Sequence, residues 1–171
     1  ADSGNIRIGT PTVTTSLRGL VDGFIEVDQP MRPVHSGVGG GVVPDAFMVL
    51  SKIIASFHNE KGELQIEGLT SSDMDVLELK EEEIKKIFGS EDINLFELDS
   101  ISKRLWLEPA LSILAIDAPS TKEAVNLVIP NAKAKVSLRL PPTEDPEHAM
   151  KMLEEHIMKN VPWGANVRFI P

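Results

Sequence analysis

The chain has 171 residues, enough for one ordinary domain with a real hydrophobic core. Its 26 acidic residues outnumber its 17 Lys and Arg, and the formal net charge of −9 argues against attraction to nucleic acid. It has no cysteine, which excludes disulfides and thiolate metal sites, and no apolar run approaches the roughly 18 residues of a membrane span. We therefore expect a cytoplasmic protein with no nucleic-acid or membrane partner.

The first part of the chain predicts one strand and one helix. From Leu17 to Val27 every second residue is apolar or glycine, with Arg18, Asp22 and Glu26 among the residues between them, the period of two that is typical of a half-buried strand. After a glycine-rich segment, apolar residues at helical spacing predict a helix from about Pro44 to His58, with the proline in its first turn. Acidic helix formers then predominate, and we expect a small helical insert at about residues 68–103.

The second part of the chain predicts three more strands and a second helix. Strand patterns return at residues 110–116 and 132–140, and a short strand closes the chain at 166–170. Asp145 and Pro146 are a typical cap and first residue of a helix. This order predicts an α+β fold: a two-layer ferredoxin-like sandwich, with a four-stranded antiparallel sheet and two helices on one face. Pairing through a sheet edge or face makes a homodimer the default expectation.

The segment VHSGVGGGVVPDA places His35 beside four glycines, directly before the first predicted helix. Glycines before a helix can cradle an anion, but the segment lacks both the Lys-Ser/Thr of a P-loop and the G-x-G-x-x-G spacing. A flexible turn with an exposed histidine explains the pattern equally well. The other three histidines form no metal-binding pair, so the residues alone do not make a complete catalyst.

Five segments resemble one stretch of a known enzyme family: ADSGN at residues 1–5, Leu17-Arg18-Gly19, His35-Ser36-Gly37, VSLRL at 136–140 and PWGA at 162–165. They are similar to the zinc metallopeptidases related to carnosinase, a family that includes succinyl-diaminopimelate desuccinylase, acetylornithine deacetylase and aminoacylase. The resemblance covers residues 1–60 and 106–171. It implies that residues 1–16 are a junction from a catalytic domain of the same polypeptide and that residues 17–171 are its lid and dimerisation domain.

The resemblance also implies roles for four residues. Asp2 resembles a zinc ligand at the domain junction. His35 resembles a histidine that reaches across a homodimer and donates to the oxyanion formed when water attacks the amide. Arg139 resembles an arginine that binds the substrate carboxylate, and Asn126 resembles a residue that helps hold substrate or intermediate. From the residues alone, each has an ordinary alternative: a turn aspartate, a loop histidine, a surface arginine and a strand-initiating asparagine.

The function that the resemblance implies is hydrolysis of a peptide or N-acyl amino acid amide bond by a dinuclear zinc enzyme. Most zinc ligands would lie outside these residues, so we expect a fragment of a longer protein that is inactive by itself. The segments Arg139-Leu140-Pro141-Pro142 and Pro162-Trp163-Gly164 resemble the dipeptidases more than the desuccinylases. The alternative is a free-standing ferredoxin-like domain that dimerises or binds a small regulatory ligand without catalysis.

Overall fold

The architecture is a four-stranded antiparallel sheet with helices on one face, seen in a computed structural model that describes residues 7, 9 and 11–171. The elements in chain order are β1 (Gly19–Asp28), β2 (Val34–His35), α1 (Ser36–Gly39), α2 (Ala46–Ala55), α3 (Glu81–Phe88), α4 (Ile101–Trp106), β3 (Ala110–Asp117), β4 (Leu127–Val128), β5 (Asn131–Leu140), α5 (Pro146–Lys159) and β6 (Val167–Ile170). The sheet order β3-β5-β1-β6 is ferredoxin-like. The predicted fold class is confirmed.

The core lies between the sheet and helices α2 and α5. Strands β1 and β5 pair in register from Gly19 with Leu140 to Asp28 with Asn131, so their alternate side chains share one face. That face carries Ile25, Val136 and Leu138, all fully buried against Ile53 of α2 and Leu153 of α5 together with their neighbours. No helix in the described part of the chain is long and apolar enough to cross a membrane.

The opposite face of the sheet carries paired charges. Glu26 binds both Lys133 and Arg168, at 2.8 and 3.1 Å, and Lys135 binds Asp22 at 3.2 Å. The hydrogen bond from Lys133 is the main reason that the pKa of Glu26 is lowered. We call this surface the open face, because α2 and α5 both pack on the other side.

The boundaries of the first strand and first helix differ from the prediction. β1 begins at Gly19, two residues after Leu17, whose side chain is exposed. α2 begins after Asp45, because the Asp45 carboxylate accepts hydrogen bonds from the amides of Phe47 and Met48 and caps the helix. Pro44 therefore precedes the cap, and α2 ends at Ala55 before the predicted end at His58.

The insert is only partly helical. Helical residues occupy α3 and α4, and α4 continues to Trp106, beyond the predicted end at Lys103. The rest of the segment is irregular and is fixed by hydrogen bonds: Glu144 accepts from both the amide and the hydroxyl of Thr70, and Ser102 bridges the backbone of Leu77 and Leu79. Burial raises the pKa of Glu144, but the hydrogen bonds from Thr70 and His148 outweigh it and leave that pKa below its ordinary value.

Gly23 marks a position in β1 where no side chain fits. A Cβ atom there would lie 2.8 Å from the carbonyl oxygen of Ile170, which belongs to the adjacent strand β6. We expect Gly23→Ala to lower the free energy of unfolding in urea by about 1–3 kcal/mol through overpacking. Gly19→Ala is the control, because its nearest contact is 3.3 Å, and a smaller loss is expected there. Equal losses would contradict this account.

His156 makes the stability of the fold depend on pH. Its ring stacks on Phe57 with centroids 5.3 Å apart, and its Nε2 lies 3.0 Å from the hydroxyl of Ser56. Burial lowers the pKa of His156, and burial with the nearby Arg104 charge lowers that of His58. The unfolded chain therefore binds more protons, and the free energy of unfolding should fall as the pH drops through the ordinary histidine pKa of 6.5.

The test is to measure urea unfolding at about pH 7.5 and about pH 5.5. The wild-type chain should lose stability at the lower pH, and His156→Gln should lose less, because it has no imidazole to protonate. An unchanged pH dependence in His156→Gln would contradict the role of this ring.

Candidate functional site

His35 and Asn126 are brought together by a two-stranded ribbon outside the main sheet. β2 pairs with β4, which places His35 opposite Leu127, and the amide of Ser36 donates to the carbonyl of Asn126 at 2.9 Å. Both side chains are exposed. Two predicted site residues that are about 90 positions apart in sequence therefore share one exposed surface.

The imidazole of His35 is held by its own backbone. Its Nδ1 accepts a hydrogen bond from the amide of Gly37 at 3.1 Å, so a neutral ring carries its proton on Nε2. His35 is thereby the cap of the single helical turn α1. The ring is oriented before any ligand arrives, with an Nε2–H donor that none of the described residues engages.

The glycine cluster forms a hydrogen-bonded turn directly after His35. The amide of Gly40 donates to the carbonyl of Ser36 at 2.9 Å. A Cβ atom on Gly40 would collide with the same carbonyl oxygen. Gly41 has a φ of +79°, a conformation that favours glycine. α1 and these two glycines set the path of the backbone that follows His35, which is exposed at the start of the turn.

Arg139 lies on the open face of β5. Its cross-strand partners are Leu20 on β1 and Ala110 on β3. Its guanidinium forms no hydrogen bond or ion pair with the described residues, whereas the three other cations on this face are paired. An exposed and unpaired guanidinium suits a planar carboxylate ligand.

Arg18, in the segment Leu17-Arg18-Gly19, is a neighbour of Arg139. It donates to the carbonyls of Leu105 at 2.6 Å and Glu108 at 2.9 Å, which ties the insert to the start of β1. Burial, followed by the charge of Arg139, lowers the pKa of Arg18. The only sign of this role in the sequence is the position of Arg18 between Leu17 and Gly19, directly before an alternating strand.

Within one chain, Arg139 lies far from His35. The ribbon that carries His35 adjoins the Asn131 end of β5, whereas Arg139 is near the other end. Eight residues at about 3.4 Å each separate Asn131 from Arg139, roughly 27 Å along the strand. Arg139 and His35 of one chain are therefore too far apart to contact the same small molecule.

The described residues do not form a metal site by themselves. They contain no group of three His, Asp or Glu side chains that could hold a metal ion. Asp2 lies outside the described residues, so its predicted role as a zinc ligand remains a prediction.

The edge strands β3 and β6 of the main sheet each have one side without a strand partner among the described residues, and such edges are where sheets associate. A protein-family model described as a peptidase dimerisation domain matches residues 15–165. The chain belongs to this family, the M20 peptidase dimerisation domains.

Curated relatives of the chain are dipeptidases. It is 34% identical over 171 residues to a cysteinylglycine-S-conjugate dipeptidase of Corynebacterium striatum, which covers 97% of this chain and 37% of that protein. It is 28% identical over 167 residues to a Cys-Gly metallodipeptidase of Saccharomyces cerevisiae, covering 90% and 35%. The chain thus spans little more than a third of the length of these relatives.

Solved structures share the fold. A di-peptidase from Saccharomyces cerevisiae matches with a TM-score of 0.75 and 23% identity, covering 93% of this chain and 36% of that one. Human carnosine dipeptidase 1 matches with a TM-score of 0.75 and 20% identity, covering 98% and 39%.

Proposed function

We propose that this chain is the lid and dimerisation part of a homodimeric, zinc-dependent dipeptidase or related amidohydrolase in the cytoplasm. Residues 1–16 would be the junction from the catalytic domain, and residues 17–171 the lid domain with its insert. The substrate would be a small peptide or an N-acyl amino acid. Two zinc ions, with Asp2 as one ligand, would supply Lewis-acid activation of water and of the scissile carbonyl when bound.

The observation that carries the proposal is the placement of Arg139 and His35 at opposite ends of β5. β3 is the edge strand beside β5, and its Leu114 and Ile116 are 57% and 51% exposed. If two copies pair antiparallel through β3, a two-fold axis brings the Arg139 end of one sheet to the ribbon end of the other.

The distances in such a dimer favour a shared site. Each β5 is separated from the other by three strand spacings of about 4.8 Å, or roughly 14 Å. That is about half the separation of Arg139 from the ribbon within one chain. The pairing also covers exposed Leu114 and Ile116, which a solitary edge strand leaves in water.

Three side chains would then have distinct roles in one site. Arg139 would bind the substrate carboxylate through two parallel N–H groups. His35 of the partner copy would donate its Nε2–H to the oxyanion, since its Nδ1 is already engaged by Gly37. Asn126, beside His35 on the ribbon, would hold the substrate or the intermediate.

The test is the solution mass of the 171-residue chain by sedimentation across a dilution series. A dimer is expected, and Leu114→Lys should convert it to a monomer by placing a charge on the β3 edge. Met158→Lys is the control, because Met158 is also exposed, at 47%, but lies on α5. A wild-type monomer at high concentration would contradict dimerisation through this domain and favour a free-standing ligand-binding role.

A further inference from the structure

The insert forms an apolar groove beside the open face of the sheet. The groove lies between α3 and α4, has a volume of about 300 Å³, and is lined largely by Ile84, Phe88, Phe96, Leu98, Ile101 and Leu105. Phe88 and Phe96 are 54% and 62% exposed. Aromatic surface left in water at the rim of a cavity marks a place where an apolar group can bind.

The groove begins next to Arg139. Ala110 lines the groove and is the cross-strand partner of Arg139 on β3, so their Cβ atoms are about 5 Å apart on the open face. Arg18 also lines the groove, and its guanidinium is fixed by the carbonyls of Leu105 and Glu108. If Arg139 binds the carboxylate of a substrate, the side chain of the same substrate residue is therefore long enough to reach the apolar groove.

We propose that this groove receives the apolar side chain of the residue whose carboxylate Arg139 binds. The inference rests on the proposed function, and it adds the substrate class: dipeptides with a bulky apolar C-terminal residue. A side chain of the size of leucine or phenylalanine fits the volume, and its removal from water favours such a substrate over a C-terminal glycine by roughly 10- to 100-fold.

The experiment uses the full-length protein loaded with zinc and two substrates, Ala-Phe and Ala-Gly. Leu98→Trp fills the groove, and the ratio of kcat/KM for Ala-Phe to that for Ala-Gly should fall at least tenfold. Phe96→Ser, which removes an exposed ring from the rim, should lower the same ratio by a smaller factor. Ile87→Trp is the control, because Ile87 is 59% exposed on α3 and does not line the groove, and its ratio should stay at the wild-type value.

The outcomes separate this inference from the proposed function. Wild-type protein that hydrolyses neither peptide overturns the inference, and it overturns the proposed function as well if no other small peptide or N-acyl amino acid is hydrolysed. Wild-type protein that hydrolyses both, with a ratio unaltered in Leu98→Trp and Phe96→Ser, overturns the inference alone. An equal loss on both peptides also overturns it, since the groove would then not distinguish the two C-terminal side chains. If Leu98→Trp does not fold, Phe96→Ser decides the question.

Discussion

Replacing His35 with asparagine in the full-length protein should lower kcat by about 10²–10³-fold, the value of one oxyanion donor. Asparagine is a good helix cap and can still accept the hydrogen bond from Gly37, so the turn α1 should persist. Its shorter amide does not reach the position of the imidazole Nε2–H. The measurement is steady-state hydrolysis of a dipeptide, with circular dichroism and solution mass recorded for the same samples.

His35→Ala separates the two functions of the ring. It removes both the cap and the donor, so its kcat should fall as far as that of His35→Asn, with an added loss of local stability of about 0.5–2 kcal/mol. If His35→Asn retains wild-type kcat while His35→Ala does not, the histidine is a structural cap and the oxyanion role is wrong.

Arg139→Ala should lower kcat/KM by about 10²-fold or more, mainly through KM, because a charge-assisted pair with the substrate carboxylate is lost. Arg139→Lys should recover only part of this loss, because an ammonium group cannot make two parallel hydrogen bonds. Arg168→Ala is the matched control: it removes an arginine from the same open face that is already paired with Glu26. Its kcat/KM should remain close to that of wild type.

A dipeptide amide provides a second check on Arg139. The wild-type enzyme should hydrolyse the amide as poorly as Arg139→Ala hydrolyses the free acid. On the amide, the kcat/KM of Arg139→Ala should be close to that of wild type, because there is no carboxylate for Arg139 to bind. If Arg139→Ala loses as much on the amide as on the acid, the guanidinium does not bind the carboxylate.

The main sheet and helices could be predicted because their signals are local. β5 alternates strictly between apolar and polar residues, and β1 has an apolar residue or glycine at every second position. α5 begins at Asp145 and Pro146, whose cap and fixed φ define a helix start. The start of α2 was misplaced because Pro44 and Asp45 are both helix-start residues, and the carboxylate of Asp45 makes the actual cap.

The parts that could not be predicted depend on contacts between distant residues. The ribbon of β2 and β4 has two residues in each strand, too few for any periodicity, and it pairs segments about 90 positions apart. Most of the insert is held by side chains such as Glu144 and Arg18 that bond to remote backbone groups. No local pattern shows these partners.

The residues of the candidate site could be predicted, but their positions relative to one another could not. His35, Asn126 and Arg139 were identified by resemblance, and only the topology shows that His35 and Asn126 are neighbours while Arg139 is at the far end of β5. That separation is the physical reason for the proposal that His35 acts across the dimer.

The most direct test of the central claim is complementation between two inactive variants of the full-length protein. If His35 serves the partner's site, a dimer of His35→Asn with Arg139→Ala contains one site with both groups intact and one with neither. Random mixing of the two chains by co-expression should then restore about one quarter of wild-type activity, since half of the dimers are mixed and each has one active site. Activity that stays at the level of the separate variants would contradict the claim that Arg139 and His35 act together across the dimer.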